Sequence, residues 1–277
     1  MADVKISGLP AAAGANDTDE FPENQSGTTR KVTNLQLKTL FLLTAFSDIN
    51  IQVFTTVGAN TYTPISGMKH CIVISTGGGG GGGGADTDGT SGASGAGAGG
   101  GAGGTCIEVF SAAQIGASQT VTIGAAGTAG STAGGNGGAG GNTTFGTLHT
   151  ATGGALGIGS GTVTTDANST NGGLGGVPIN GDVNITGGDG DNGWAFTVDG
   201  TTDAGVARGG AGGASFWGGG GRSPSAAQVS LTTDLTEAGV AGRAYGSGGS
   251  GGLDLTSTAG VAGGAGMLGV CVVIEFL

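Results

Sequence analysis

Charge is scarce in this 277-residue chain and positive charge scarcest: charged residues make up 10%, with eight Lys and Arg against 19 Asp and Glu. A net charge of −11 excludes the clustered cationic surface on which phosphate binding depends, so no nucleic-acid partner is expected. Aromatics are only 5%, so any core is thin and leans on contacts between backbones. Cys71, Cys106 and Cys271 lie in separate apolar runs without C-x-x-C spacing. That excludes a zinc ribbon or redox motif and reads as buried small hydrophobes. Apolar runs such as residues 270–274 are far too short to span a bilayer, so no membrane insertion is expected. The opening MADVKISGLP lacks the basic start and apolar stretch of a secretory signal, which points to synthesis in a cytoplasm.

Glycine fills the space these residues leave. The chain has 69, of which only Gly8, Gly14 and Gly27 precede residue 58. Many recur as GGX triplets: GGNGGAGGN at 134–142, GGLGGV at 172–177, GGAGGA at 209–214 and GGSGGL at 248–253. An extended helix with three residues per turn places each X on one edge and leaves two edges bare, so neighbouring backbones can approach closely. The period therefore predicts packed polyglycine-type helices that pair N–H and C=O groups between segments. Collagen is excluded, because it needs an unbroken G-X-Y frame and abundant proline, and there are five prolines in all.

Two modules follow from the composition shift, residues 1–57 and 58–277. In the first, residues 5–9 read as a short strand, followed by a small-residue and acidic loop through Glu23. Thr33 or Asn34 then suits the N-cap of a short helix over LQLKTLFLLTAF. In the second, strands are expected at 71–74, 106–110, 119–123, 162–165, 182–186, 195–198, 228–231 and 269–276. Residues 71–74 are apolar at both parities and need cover on both faces. Short strands with turn-rich joins predict a mainly β fold, an antiparallel β-sandwich or jelly-roll-like domain carrying the polyglycine-type helices. The matching texture of residues 71–75 and 270–276 places them side by side.

Catalytic signatures are weak. His70 and His149 have no nucleophile at suggestive spacing, and GGSGG at 248–252 matches the G-x-S-x-G elbow only formally in so glycine-rich a chain. No Walker loop is present. GGDGDN at 187–192 resembles one copy of a calcium-binding nonapeptide, but Asn192 stands where a ligand Asp belongs; Asp189 and Asp191, like Asp86 and Asp88, read as solvated loop acids. No enzyme, metal or cofactor is expected. Among aromatics near glycine loops, Trp194 and Tyr245 are candidate receptor contacts, since such rings stack on sugars and anchor interfaces. Phe216 and Trp217 read instead as a cover for the glycine layer.

The segments ISGLPAA at 6–12 and DEFPENQSGTTRKVTNLQL at 19–37 together resemble an N-terminal attachment segment of tailed-bacteriophage fibres and spikes. GMKHCIVIS at 67–75, AAQIGASQTVTIGAAG at 112–127, GGAGGASFWGGGGR at 209–222 and GVCVVIEF at 269–276 resemble the C-terminal glycine-rich receptor-binding domain of the same proteins. The resemblance implies a structural virion protein, a homotrimer whose N-terminus docks to other phage virion proteins and whose glycine-rich domain meets a host cell-surface glycan or protein. Arg30, Lys31 and Leu35 are then the candidate docking residues. Because no shaft separates the two modules, a capsid-mounted head fibre or decoration protein is the alternative. An ice-binding or surface-matrix protein is the third reading, from the flat face that small residues present.

Overall fold

The computed structural model describes residues 20–25, 28–33, 49–87, 93–161, 167–197, 205–228, 235–255 and 259–277. Backbone contacts divide the chain into two compact units, residues 1–49 with 276–277, and residues 50–275. In the first, β1 (Glu20–Gln25) and β2 (Thr28–Thr33) form an antiparallel hairpin with Glu23 opposite Arg30 and Pro22 opposite Lys31. The acidic loop expected through Glu23 is thus strand from Glu20 onward. The strand expected at 5–9, the helix over LQLKTLFLLTAF, and Leu35 lie outside the described residues.

In the larger unit two sheets share one hydrophobic cluster. The first has the order β12 (Val183–Ile185), β7 (Thr105–Ser111), β5 (His70–Thr76), β18 (Val270–Phe276), β3 (Ile49–Phe54). The second has the order β10 (His149–Ala151), β9 (Thr143–Phe145), β8 (Gln119–Ile123), β4 (Gly58–Tyr62). The expected neighbours β5 and β18 do lie side by side. Tyr62, Val73, Phe110, Val121, Phe145 and Val273 fill the space between the two sheets, together with the thiols of Cys71 and Cys271. All three cysteines are free and buried, and burial pushes the Cys71 thiol up to about 11, so these are packing residues rather than nucleophiles. The one helix among the described residues, α1 (Ala112–Ile115), is a single turn held by a capping box: Ser111 N–H donates to Gln114 Oε1 at 2.9 Å while Gln114 N–H donates back to Ser111 Oγ.

From this core end the chain runs out and back through glycine tracts. The central one, residues 77–84, is buried throughout. Its N–H groups go in rotation to three neighbours: Gly77, Gly80 and Gly83 donate to Gly104, Gly101 and Ala98; Gly78, Gly81 and Gly84 to Gly141, Gly138 and Gly135; Gly79 and Gly82 to Met267 and Gly264. Its carbonyls accept from three others, for example from Gly154, Gly127 and Gly249. Six tracts thus surround it, each touching every third residue. The bonds are 2.8–3.0 Å, so the buried polar groups of a side-chain-free segment are satisfied laterally. The polyglycine helices expected here are not borne out as helical elements: the tracts lie outside helix and strand. Neither sandwich nor jelly roll is established by the strand orders; what stands is a mainly β chain of antiparallel sheets with almost no helix among the described residues.

The same geometry explains the triplets. In the outer tract 134–142 the third residues, Asn136, Ala139 and Asn142, are exposed while glycines face inward. Their side chains also finish the hydrogen bonding: Asn136 Oδ1 accepts from Gly159 N–H and Asn142 Oδ1 from Gly153 N–H, both at 2.9 Å. Along the central tract 77–84 no position has room for a side chain. A Cβ on Gly81 would collide with the Thr128 carbonyl oxygen, and one on Gly78 with that of Ala125.

At the far end of the tracts lie two smaller sheets, β11 (Ala167–Thr170)–β13 (Gly193–Thr197)–β14 (Gly205–Arg208)–β15 (Ser225–Gln228), and β16 (Leu235–Glu237)–β17 (Leu253–Leu255)–β6 (Ser94–Ala96). They share a small cluster of Ala96, Ala195, Ala207, Leu253 and Leu255. The strand expected at 195–198 is β13, beginning two residues earlier. Of the one expected at 228–231 only Gln228 lies among the described residues, as the last residue of β15, whose Ala226 joins that cluster. The one expected at 162–165 lies outside the described residues.

Two polar side chains sealed in the core end carry its pH dependence. Glu275, fully buried, accepts from Tyr62 Oη (2.8 Å), Ile65 N–H (2.9 Å), Gln52 Nε2 (3.2 Å) and Asn50 Nδ2. Burial raises this carboxyl, but four donors outweigh it and hold the group below the usual carboxylate range. His149 is lowered to about 4 by burial. Its Nδ1 stands 3.4 Å from Glu108 Oε2, without a directed hydrogen bond to either atom.

Two tests follow from the tracts and these groups. Gly81→Ala should cost on the order of 3 kcal/mol or prevent folding. Gly219→Ala, where an added Cβ meets nothing within 4 Å, should be neutral or stabilise by up to about 1 kcal/mol. Thermal unfolding of the pair reads both. As pH falls from about 6.5 towards about 4, the unfolded imidazole takes up a proton that folded His149 refuses, so roughly 3 kcal/mol of stability should be lost over that window. Glu275 adds a further loss as pH falls through its own lowered value. Urea unfolding across pH should show the first slope, and His149→Phe should flatten it.

Candidate recognition surface

The far-end sheet β11-β13-β14-β15 separates its two faces by residue size. Alternation sends Ala195, Ala207 and Ala226 inward, where small side chains let the strands sit against β6 and β17. The outward rows are Ser169, Trp194, Arg208, Ser225 and Ala167, Phe196, Val206, Ala227, each read across the four strands. Bulk therefore decreases across the sheet, from aromatic on β13 through Val and Arg on β14 to Ala and Ser on β15. This gradient leaves a groove of about 360 Å³ beside Trp194, floored by β14 and β15. Phe196 is 50% exposed and Trp194 42%.

Arg208 stands at one margin of the groove. Its Nε donates to Ser223 Oγ at 3.1 Å and its guanidinium lies 3.4 Å from Asp191 Oδ2, a partly exposed pair that orients the group more than it stabilises the fold. The surface thus offers an aromatic plane, a hydrogen-bonding fork and hydroxyls. Aromatic planes of this kind bind a sugar face or an apolar side chain.

The sequence candidates do not form one site. Tyr245 precedes Gly246, whose carbonyl accepts from Gly103 N–H, whereas Trp194 follows Gly193, which sits against the Gly97 carbonyl. Residues 97 and 103 are at opposite ends of one tract, so Trp194 lies at the far end and Tyr245 at the core end. Around Tyr245 the chain folds a second aromatic group: Ser215 Oγ donates to the Tyr245 carbonyl at 2.7 Å, and Phe216 meets Trp217 edge to face at 5.2 Å. Trp217 donates its indole N–H to Thr76 Oγ1 at 2.8 Å, covering the end of β5, and both rings remain part exposed. Phe196, a further aromatic near the glycine loops, shares the outward face with Trp194, as the alternation W-A-F at 194–196 requires.

Arg30 and Lys31 lie on β2, opposite Glu23 and Pro22. The acidic loop is occupied by its own backbone: Asp189 Oδ1 accepts from Gly175 N–H at 2.7 Å and Asn192 Oδ1 from Gly172 N–H at 2.9 Å. Among the described residues no group of three or more His, Cys, Asp or Glu is placed to hold a metal ion, and no helix is long and apolar enough to cross a membrane.

Two arrangements with nucleophilic residues complete the chemistry. Ser250, at the centre of GGSGG, is buried in a glycine tract and accepts from Val240 N–H at 2.8 Å, far from the strand-to-helix turn an elbow requires. Ser75 Oγ lies 2.8 Å from His149 Nε2, with Glu108 beyond the ring, an order familiar from acyl-transfer triads. Ser75 is fully buried between β5 and β10, so a substrate carbonyl has no approach, and the trio reads as a polar tie across the core. Sequence spacing could not show it, because β5–β7 pairing brings residues 75 and 108 close and the packing of the second sheet on the first adds residue 149.

Comparison with curated proteins gives no match. A family model described as a glycine-rich domain matches residues 55–275, which includes all the tracts and every strand of the larger unit except β3 and the last residue of β18. Over four-fifths of its length, then, the chain belongs to the glycine-rich domain family.

Proposed function

We propose that the protein is a structural, non-enzymatic virion appendage of a tailed phage, a fibre or spike. Residues 1–57 dock it to other virion proteins, with Arg30, Lys31 and Leu35 in the contact, and the glycine-rich domain is displayed to adhere to a host-surface glycan or protein. The resemblance of residues 6–12 and 19–37 to phage attachment segments supports the first half. The observation that carries the second is the exposed Trp194 and Phe196 face at the far end of the tracts. Large aromatics standing out on a sheet are an interaction surface in a chain so poor in them.

The tracts give this surface its backing. We read them as packed polyglycine-type chains of three residues per turn, supported by lateral bonds that repeat every third residue along 77–84. Such a layer is stiff because its hydrogen bonds are buried and its glycines have no free space in which to move. Adhesion by weak contacts, multiplied over copies on one particle, then gives useful avidity without any single tight site.

Purified full-length protein should compete with particles for adsorption to the host. The Trp194→Ala, Phe196→Ala double variant should need about ten times the concentration, the loss of roughly 1.4 kcal/mol of contact. No competition from saturating wild-type protein would remove the adhesive role. Locating the labelled chain on intact particles by electron microscopy separates a tail position from the capsid-mounted alternative.

A further inference from the structure

We propose that the outward face of the five-stranded sheet at the core end is a docking surface for a second copy of this chain, packed sheet against sheet. The inference stands on the core-end geometry and is independent of the adhesive reading.

One face of β5, β7 and β18 covers the shared core. Alternation therefore turns Ile72, Ile74, Ile107, Val109, Val272 and Ile274 outward, and Ile51 and Val53 of β3 and Val183 of β12 extend this face to both edges. At the edges the side chains are open: Ile51 is 59% exposed, Val53 56%, Val109 54% and Val183 51%. No charged residue interrupts these rows; His70 stands at one margin, and at the β12 side Asp182 Oδ2 accepts from Val109 N–H at 3.1 Å. At the margin nearest the tracts, Thr76 is roofed by Trp217, which with Phe216 forms an aromatic ledge beside the aliphatic floor. A continuous β-branched face of this extent is uncommon on a protein that stays alone in water.

The occupant follows from chemistry and size. The floor offers no donor or acceptor for a sugar or nucleotide, so it requires an apolar protein face. Five strands at about 4.8 Å spacing and about 3.3 Å per residue make a floor roughly 20 Å on a side. With corrugation and the ledge this is roughly 600 Å² per copy, the lower bound of a specific interface. The same face of a second copy matches in area and in ridge spacing, as two sheets do when they stack about 10 Å apart. Such a contact is isologous and closes at two copies, unlike the three-fold copy number implied by the resemblance to phage fibres. Each copy carries −11, so the partners repel at long range and added salt should tighten the pair.

Sedimentation of the full chain at micromolar to 100 µM concentration tests this. The expected result is a shift from 25.8 kDa to twice that mass, moving to lower concentration as salt rises. The Val53→Lys, Val109→Lys double variant should stay monomeric over the whole range; its circular dichroism and melting, matched to wild type, show that it has folded. Both side chains point to solvent in the monomer, so folding should survive. A wild-type monomer at 100 µM overturns the proposal and leaves the face to a different virion protein. A dimer or trimer that the double variant leaves intact overturns it as well.

Discussion

Every part of the larger unit depends on the satisfaction of backbone amides in tracts that cannot carry side chains. A buried segment of eight glycines has eight N–H and eight C=O groups to pair and no apolar surface to contribute. Leaving each such group unpaired would cost about 1–3 kcal/mol, and ordering glycine costs more entropy than ordering any other residue. The structure meets this by surrounding residues 77–84 with six tracts and distributing bonds among them in rotation. Once that arrangement is adopted, a Cβ on most tract glycines meets a neighbouring carbonyl, so the buried tracts hold only glycine, alanine and serine, GGSGG at 248–252 among them, while larger X residues such as Asn136, Asn142 and Leu174 stand at exposed positions.

The sheets are the second half of the same solution. Lateral bonding between tracts has no hydrophobic contribution, so the free energy must come from the clusters at either end: the ring-rich one around Phe110 and Phe145, and the alanine-leucine one around Leu253. Many crossings of the glycine layer end in a strand, as 97–104 does between β6 and β7, and others reverse in turns at 132–134, 215–218 and 244–246; together these ends set register and spacing. This is why Trp194 and Tyr245, equally close to glycines in sequence, are carried to opposite ends of a tract.

Polar groups inside the core end follow the same economy. Glu275 holds together residues 50, 52, 62 and 65 from the last strand of the unit, and the Ser75, His149 and Glu108 trio ties β5, β10 and β7. With few large side chains to interlock, buried hydrogen bonds take over part of the task of specifying which strand lies where. The acidic and amide residues of outer tracts act likewise: Asp189, Asn136, Asn142 and Asn192 supply the carbonyl that an absent neighbouring tract would have supplied. An acidic loop that suggests calcium in sequence is thereby a set of backbone caps.

Composition and periodicity by themselves determined the β class, the glycine-poor first module, the strands around Cys71, Cys106, Gln119 and Val270, and the pairing of the first with the last of them. These are local or compositional properties, since β-branched runs and GGX periods act over a few residues. Which tract lies beside which, where β1 replaces an acidic loop, the separation of Trp194 from Tyr245, and the trio at residue 75 were decided only by tertiary structure. A glycine has no side chain to encode its neighbour, so the choice among many equivalent tracts falls to the strands that end them and to contacts distant in the chain.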